Sequence, residues 1–136
     1  MFKKIKVWGR LSSSNVKKVM WLADELKLAA ERIDAGRQYG VVDTPAYKAL
    51  NPNSKVPTIE DGDFVLWESN SIMRYLCMKY GGEALYPVDA ATRADIDRWL
   101  LNPFLSGRPE SPALSAWIAR IRPRHGFQTY VDVPLE

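Results

Sequence analysis

The sequence holds one cysteine, Cys77, and one histidine, His125, in 136 residues. A single cysteine forms no internal disulfide and fits a reducing compartment. No C-x-x-C pair occurs, which excludes dithiol exchange of the type that needs two thiols. A metal site assembled from cysteine and histidine has no ligand set to draw on, so no metal is expected. Long apolar runs are missing too. No stretch reaches the length of a membrane span, and the opening MFKKIKVWG lacks the extended apolar region and cleavage site of a signal peptide. The expectation is a cytoplasmic chain with no membrane partner. A strong charge of one sign is also absent, with 19 Lys and Arg against 16 Asp and Glu and a net charge of +3. Lys3, Lys4, Lys6, Lys17 and Lys18 gather near the N-terminus, but no nucleic-acid-binding module accompanies them, and no nucleic acid partner is expected. So small an excess better suits a favourable field for an anionic small molecule.

What is present is an ordinary globular composition, 46% hydrophobic and 26% charged, at a length suited to one domain with a real core. Ile5 and Val7 alternate with lysines like a half-buried strand, stopped by Gly9. The run Ser12-Ser13-Ser14-Asn15 then precedes apolar residues at Val16, Val19, Met20, Ala23 and Leu26, which is helical spacing behind a good cap. Ala30 to Ile33 reads as a second, short strand, Gly36 to Gly40 as a loop, and Thr44-Pro45 as the start of a helical turn reaching Leu50. A hairpin around Gly62 follows, then a helix opened by Glu68-Ser69 and closed by Gly81-Gly82, with Ile72, Tyr75, Leu76 and Tyr80 on one side. The order β-α-β, loop, β-β-α predicts a small mixed sheet, one parallel pair with a crossover helix and one antiparallel hairpin.

A further helix carries Ile96, Trp99 and Leu100. Beyond it, Asn102 to Pro112 holds three prolines and a glycine and reads as a linker. A last helix is predicted from about Ala113 to Arg122, with Leu114, Trp117, Ile118 and Ile121 at helical spacing. No internal repeat or low-complexity tract appears.

The stretch NSKVPTIEDGD, Asn53 to Asp63, places a proline at the mouth of a strand. Pro57 has no N–H to donate to a ladder, so it belongs at a strand's first residue, an edge or a bulge. A cis bond at a sharp turn is the other reading.

Three segments, SSSNVKKVMWLADELKL, NPNSKVPTIEDGDFVLWESNSIMRYL and LYPVDAATRADIDRW, together resemble the cytosolic glutathione S-transferases, in particular bacterial, serine-type, theta- or beta-like members. The resemblance covers roughly residues 4 to 100. The closing segment SPALSAWIARIRPRHGFQTYV resembles the last helix of the bacterial members, while most of the helical domain expected between the two is missing. The resemblance implies an α/β architecture: a thioredoxin-like βαβ-ββα domain over residues 1–82, then a shortened, all-helical region over 83–136. It also implies transfer of glutathione, the co-substrate, to a small electrophile, a role in detoxification, and a homodimer paired through the third and fourth helices.

Site residues follow from the same resemblance. Ser13 matches the catalytic serine, with Ser12 as the rival if the register differs by one, and Asn15 matches a residue that helps hold the sulfur. Val56 precedes a proline that is cis in this family, Pro57, and presents its backbone N–H and C=O to the cysteinyl part of glutathione. Lys55 would pair with the glycyl carboxylate, unless it is simply solvated. Glu68 and Ser69 would hold the γ-glutamyl end. Read from residue type alone, the serine run is a helix cap, and Ser69 is an N-cap with Glu68 beside it. Lowering a thiol pKa from about 8.5 by ~2 units needs roughly 2.7 kcal/mol of preference for the anion. A hydroxyl donor and a helix N-terminus are two sources of it. Arg37 and Tyr39 fall in a loop beside the ligand without a defined role, and Cys77 reads as a core residue.

The missing helical segment leads to two further expectations. Apolar surface on the first and third helices is left uncovered unless the C-terminal helix or another subunit folds across it. The electrophile pocket is open, so a transferase-derived glutathione-binding or interaction module without turnover is the alternative. Reduction of mixed disulfides by glutathione is a third reading.

Overall fold

The computed structural model describes residues 4–100, 119–120 and 122–131. Four strands form one sheet: β1 (Ile5–Trp8), β2 (Ala30–Ile33), β3 (Thr58–Asp61) and β4 (Phe64–Trp67), in the order β2-β1-β3-β4. β1 and β2 run parallel, joined by helix α1 (Ser14–Glu25), while β1–β3 and β3–β4 are antiparallel. Alternation along β1 sends Ile5 and Val7 to one face and Lys6 and Trp8 to the other. Val7 stands opposite Ile59 of β3 in register. Against that face pack α1, through Val16, Val19, Met20 and Ala23, and α3 (Ser69–Lys79), through Ile72 and Leu76. Each of these side chains larger than alanine contributes about 1.5–3 kcal/mol when removed from water. On the opposite face, Trp8 meets Tyr47 of the short helix α2 (Pro45–Leu50) edge-on at 6.1 Å.

The strands, the hairpin and the first three helices lie where the apolar spacing predicts them. Gly36 to Gly40, expected as loop, contains one 3-10 turn at Arg37–Tyr39. Helix α4 (Ala90–Leu100) follows and is tied to α3 by Arg74 and Asp97, 3.0 Å apart. The predicted linker over 102–112 lies outside the described residues, as does nearly all of the predicted last helix.

Residues 122–131 end in one π-helical turn, Phe127–Val131, and fold across the outer face of α1. Phe127 packs edge-on to Trp21 with ring centroids 5.5 Å apart. Nδ1 of His125 lies 3.1 Å from Asp24, and Arg124 pairs with Glu25. The C-terminal segment therefore covers part of α1. On α3, Met78 is 61% exposed and remains uncovered among the described residues.

A knot of side chains fixes the far end of α3 to the hairpin. Oδ2 of the buried Asp61 accepts hydrogen bonds from Tyr75 (2.7 Å), Lys79 (2.7 Å) and Tyr80 (2.8 Å). Burial alone would push the Asp61 carboxyl up. The three donors and the Lys79 charge outweigh it and hold that carboxyl below its ordinary value.

Candidate active site

The N-termini of α1 and α3 meet at one end of the sheet, beside the turn that leads into β3. Ser13 is the N-cap of α1, in extended conformation (φ −75°, ψ 123°), and its Oγ accepts the Val16 N–H at 3.4 Å. The bond is long, and among the described residues the hydroxyl proton has no acceptor. Ser13 is 8% exposed and lines a cavity of about 250 Å³. Ser12 lines neither this cavity nor its neighbour, and its Oγ is buried with no hydrogen-bond partner among the described residues.

A second cavity of about 270 Å³ adjoins the first. The two share Asn15, Lys55 and Val56, and the second adds Pro57, Trp67, Glu68 and Ser69. All seven candidate residues, Ser13, Asn15, Lys55, Val56, Pro57, Glu68 and Ser69, thus border one groove, with Ser13 towards one end and Glu68-Ser69 towards the other. The Val56–Pro57 peptide bond is cis.

Expectation and structure part at Glu68. The N-cap of α3 is Glu68, not Ser69: the Glu68 carboxylate accepts the Ser71 N–H at 2.9 Å. Glu68 reaches that geometry at φ +78°, a region a non-glycine residue enters at a cost of about 1–3 kcal/mol. Ser69 becomes the first helical residue, 4% exposed, and its hydroxyl turns across the groove to donate to Asn15 Oδ1 at 3.3 Å. Beside it, Lys18 donates to Asn70 Oδ1 at 3.1 Å. Desolvation pushes the Lys18 ammonium down, and the charge of Glu68 opposes the shift.

Beneath the groove lies a brace that residue type did not reveal. The Tyr47 hydroxyl donates to the Lys55 carbonyl at 2.5 Å and lies 2.8 Å from Thr58 Oγ1. Tyr47 has one proton, already given to Lys55, so the Thr58 hydroxyl is the donor between them. Asn51 Nδ2 donates to both the Lys55 carbonyl (3.0 Å) and Thr58 Oγ1 (3.1 Å). Tyr47, Asn51 and Thr58 are each at most 2% exposed. Burial pushes the Tyr47 phenol up, against the hydrogen bonds from Thr58 and Asn51. The brace pins the backbone on either side of Val56-Pro57.

The first cavity is electropositive: Arg10, Arg37 and Lys55 line it, and among the described residues no carboxylate does. Lys55 is exposed, with no ion pair among the described residues. Cys77 is buried in the core, where desolvation pushes its thiol up, and it lines neither cavity.

Residues 3–77 match the family model of the glutathione S-transferase N-terminal domain. The chain is 44% identical over 98 residues to glutathione S-transferase GstB of Escherichia coli, an alignment covering 71% of this chain and 47% of that protein. It is 36% identical over 98 residues to glutathione S-transferase 3 of Zea mays, covering 71% and 44%. The chain thus spans about half the length of the curated relatives it matches. Among solved structures, the theta class glutathione S-transferase of Xanthomonas axonopodis pv. citri, with glutathione bound, superimposes with a TM-score of 0.84 at 33% identity. That match covers 97% of this chain and 99% of the other.

Proposed function

Because the chain belongs to the glutathione S-transferase family through its N-terminal, thioredoxin-like domain, we propose that it binds glutathione in the groove between α1 and α3 and activates the thiol for attack on an electrophile. The observation that carries this reading is the gathering of Ser13, Val56 and Ser69 along two adjoining cavities.

Ser13 is assigned the thiolate. Its oxygen caps α1, which leaves the hydroxyl proton to donate to sulfur while the first N–H groups of the helix add positive potential. Asn15 neighbours the same sulfur. The Val56 main chain pairs with the cysteinyl unit as an added strand would, and the cis bond to Pro57 turns that edge into the groove. Ser69 and the N–H groups opening α3 receive the γ-glutamyl carboxylate, with Glu68 beside its ammonium. Lys55 pairs with the glycyl carboxylate. In the reaction the sulfur forms a bond to the electrophilic carbon, the leaving group departs with its bonding electrons, and the thiol proton passes to solvent. We place the glutathione-binding domain at residues 1–82 and the shortened helical region at 83–136. Dimerisation through α3 and α4 is part of the same reading, supported by the exposed Met78 on α3.

The test is a titration of reduced glutathione into the protein and into Ser13→Ala, following the ultraviolet absorbance of bound thiolate against pH. A bound thiol whose pKa is lowered in the parent and restored in Ser13→Ala is the expected result. Binding with an unshifted thiol favours a glutathione-binding module without turnover. Absence of binding overturns the assignment.

A further inference from the structure

Arg10 leaves the end of β1 with its N–H on the Ala35 carbonyl at 3.0 Å, and its own carbonyl accepts the Ser13 N–H at 3.2 Å. Its side chain therefore starts three residues before the Ser13 hydroxyl, on the wall of the same cavity. The guanidinium lies against Gly36: a Cβ placed there would stand 2.9 Å from Arg10 Nη1 and 3.6 Å from Val56 Cγ1. Gly36, at φ +88°, thus leaves room for the cation next to the residue assigned to the glutathione backbone. Nε of Arg10 is buried without a hydrogen-bond partner among the described residues. Desolvation, and then the charge of Arg37, push this guanidinium down.

Such an arrangement is costly in the absence of an anion. A buried donor left unpaired costs about 1–3 kcal/mol, and a second cation on the same wall adds repulsion. Lys55, shared by both cavities, already has the glycyl carboxylate under the reading above. Arg10 has no such assignment. An acidic electrophile approaching a thiolate also meets repulsion of its own, which a cation beside the sulfur offsets.

We propose that Arg10 receives a carboxylate carried by the second substrate, so that this site favours acidic electrophiles over neutral ones. The inference rests on the transferase reading. The same chemistry has one rival source, the glycyl carboxylate of glutathione itself.

The two sources separate in a binding experiment that needs no turnover. Chemically prepared glutathione conjugates of a chlorodinitrobenzoate and of the matching chlorodinitrobenzamide differ only in one anionic group. Each conjugate, and glutathione alone, is titrated by calorimetry into the parent, Arg10→Gln and Arg10→Lys. In the parent the carboxylate conjugate is expected to bind about 10-fold more tightly than the carboxamide, the scale of one charge-assisted hydrogen bond. Arg10→Gln closes that gap, Arg10→Lys keeps part of it, and glutathione alone binds all three proteins alike. Equal affinities in the parent, or a gap that survives in Arg10→Gln, overturn the proposal. So does a loss of affinity for glutathione itself in Arg10→Gln, which hands the guanidinium to the glycyl carboxylate. Failure of the parent to bind glutathione overturns the transferase reading and this one with it. A missing gap with glutathione still bound leaves the transferase reading standing.

Discussion

The Ser69 hydroxyl donates to the Asn15 amide oxygen at 3.3 Å, joining the first residue of α3 to the first turn of α1. These helices are separated in sequence by three strands, a 3-10 turn and helix α2, yet their N-termini border one groove. The bond fixes the spacing between the end assigned to the sulfur and the end assigned to the γ-glutamyl group. Ser69→Ala and Asn15→Ala should each weaken glutathione binding, and the double variant should lose less than the sum. A coupling of about 0.5–1 kcal/mol between the two sites is expected in a calorimetric double-mutant cycle.

Capping and chemistry can be separated at Ser13. Aspartate is as good an N-cap as serine, so Ser13→Asp should melt within about 0.5 kcal/mol of the parent. Its negative charge beside the thiolate should nonetheless raise the bound thiol pKa above that of free glutathione, as read by thiolate absorbance. Ser12→Ala provides the contrast. It removes a buried hydroxyl with no partner among the described residues, and denaturant titration should find it neutral or up to ~1 kcal/mol more stable.

Tyr47→Phe removes the hydroxyl that, alongside the Asn51 amide, links the Lys55 carbonyl to Thr58. The vacated Thr58 proton and the weakened hold on Lys55 should cost about 1–2 kcal/mol of stability in urea. Glutathione affinity should fall as well, although Tyr47 lines neither cavity. Unchanged affinity would show that the brace is structural only.

Asp61 makes stability depend on pH in one direction. Its carboxyl is held below the ordinary value of 3.8 in the folded protein, so the unfolded chain takes up the proton first as pH falls. The stabilisation is fully present above about pH 4 and drains away as pH drops through the folded value. Asp61→Asn should lose about 2 kcal/mol at neutral pH. Its melting temperature should also be less sensitive to acid than the parent's below about pH 4.

Gly126 is buried where a Cβ would stand 2.5 Å from Trp21 Cδ1 and 3.0 Å from an Asp24 carboxylate oxygen. Gly126→Ala should push the C-terminal segment off α1 at a cost of about 1–3 kcal/mol. Trypsin cleavage after Arg124 should then be faster than in the parent, with the sheet intact by circular dichroism.

The fold could be read from the sequence because its signals are local. Alternation at Ile5 and Val7, the spacing from Val16 to Ala23 and the Asp61-Gly62-Asp63 turn each reflect a periodicity or a residue preference within a few positions. The serine cap of α1 belongs to the same class. Glu68 as the cap of α3 does not, because its positive φ is imposed by the chain turning out of β4 and is not a preference of glutamate. Tyr47 and Arg10 were illegible for another reason. Tyr47 acts on a loop that tertiary structure brings over it, and the surroundings of Arg10 include Gly36 and Val56, far away in the chain. The groove residues themselves came from resemblance, since a lysine before Val-Pro or a glutamate before serine has no chemistry legible from spacing alone.

The packing of residues 122–131 on α1 also orders events in time. The Arg124–Glu25 and His125–Asp24 pairs close over sequence separations of 99 and 101 residues. As the ribosome releases the chain in order, the face of α1 that carries Trp21 emerges well before its cover. Throughout that interval a newly made chain presents an apolar stripe to whatever is nearby, so translation speed and chaperone supply bear on the yield of this fold.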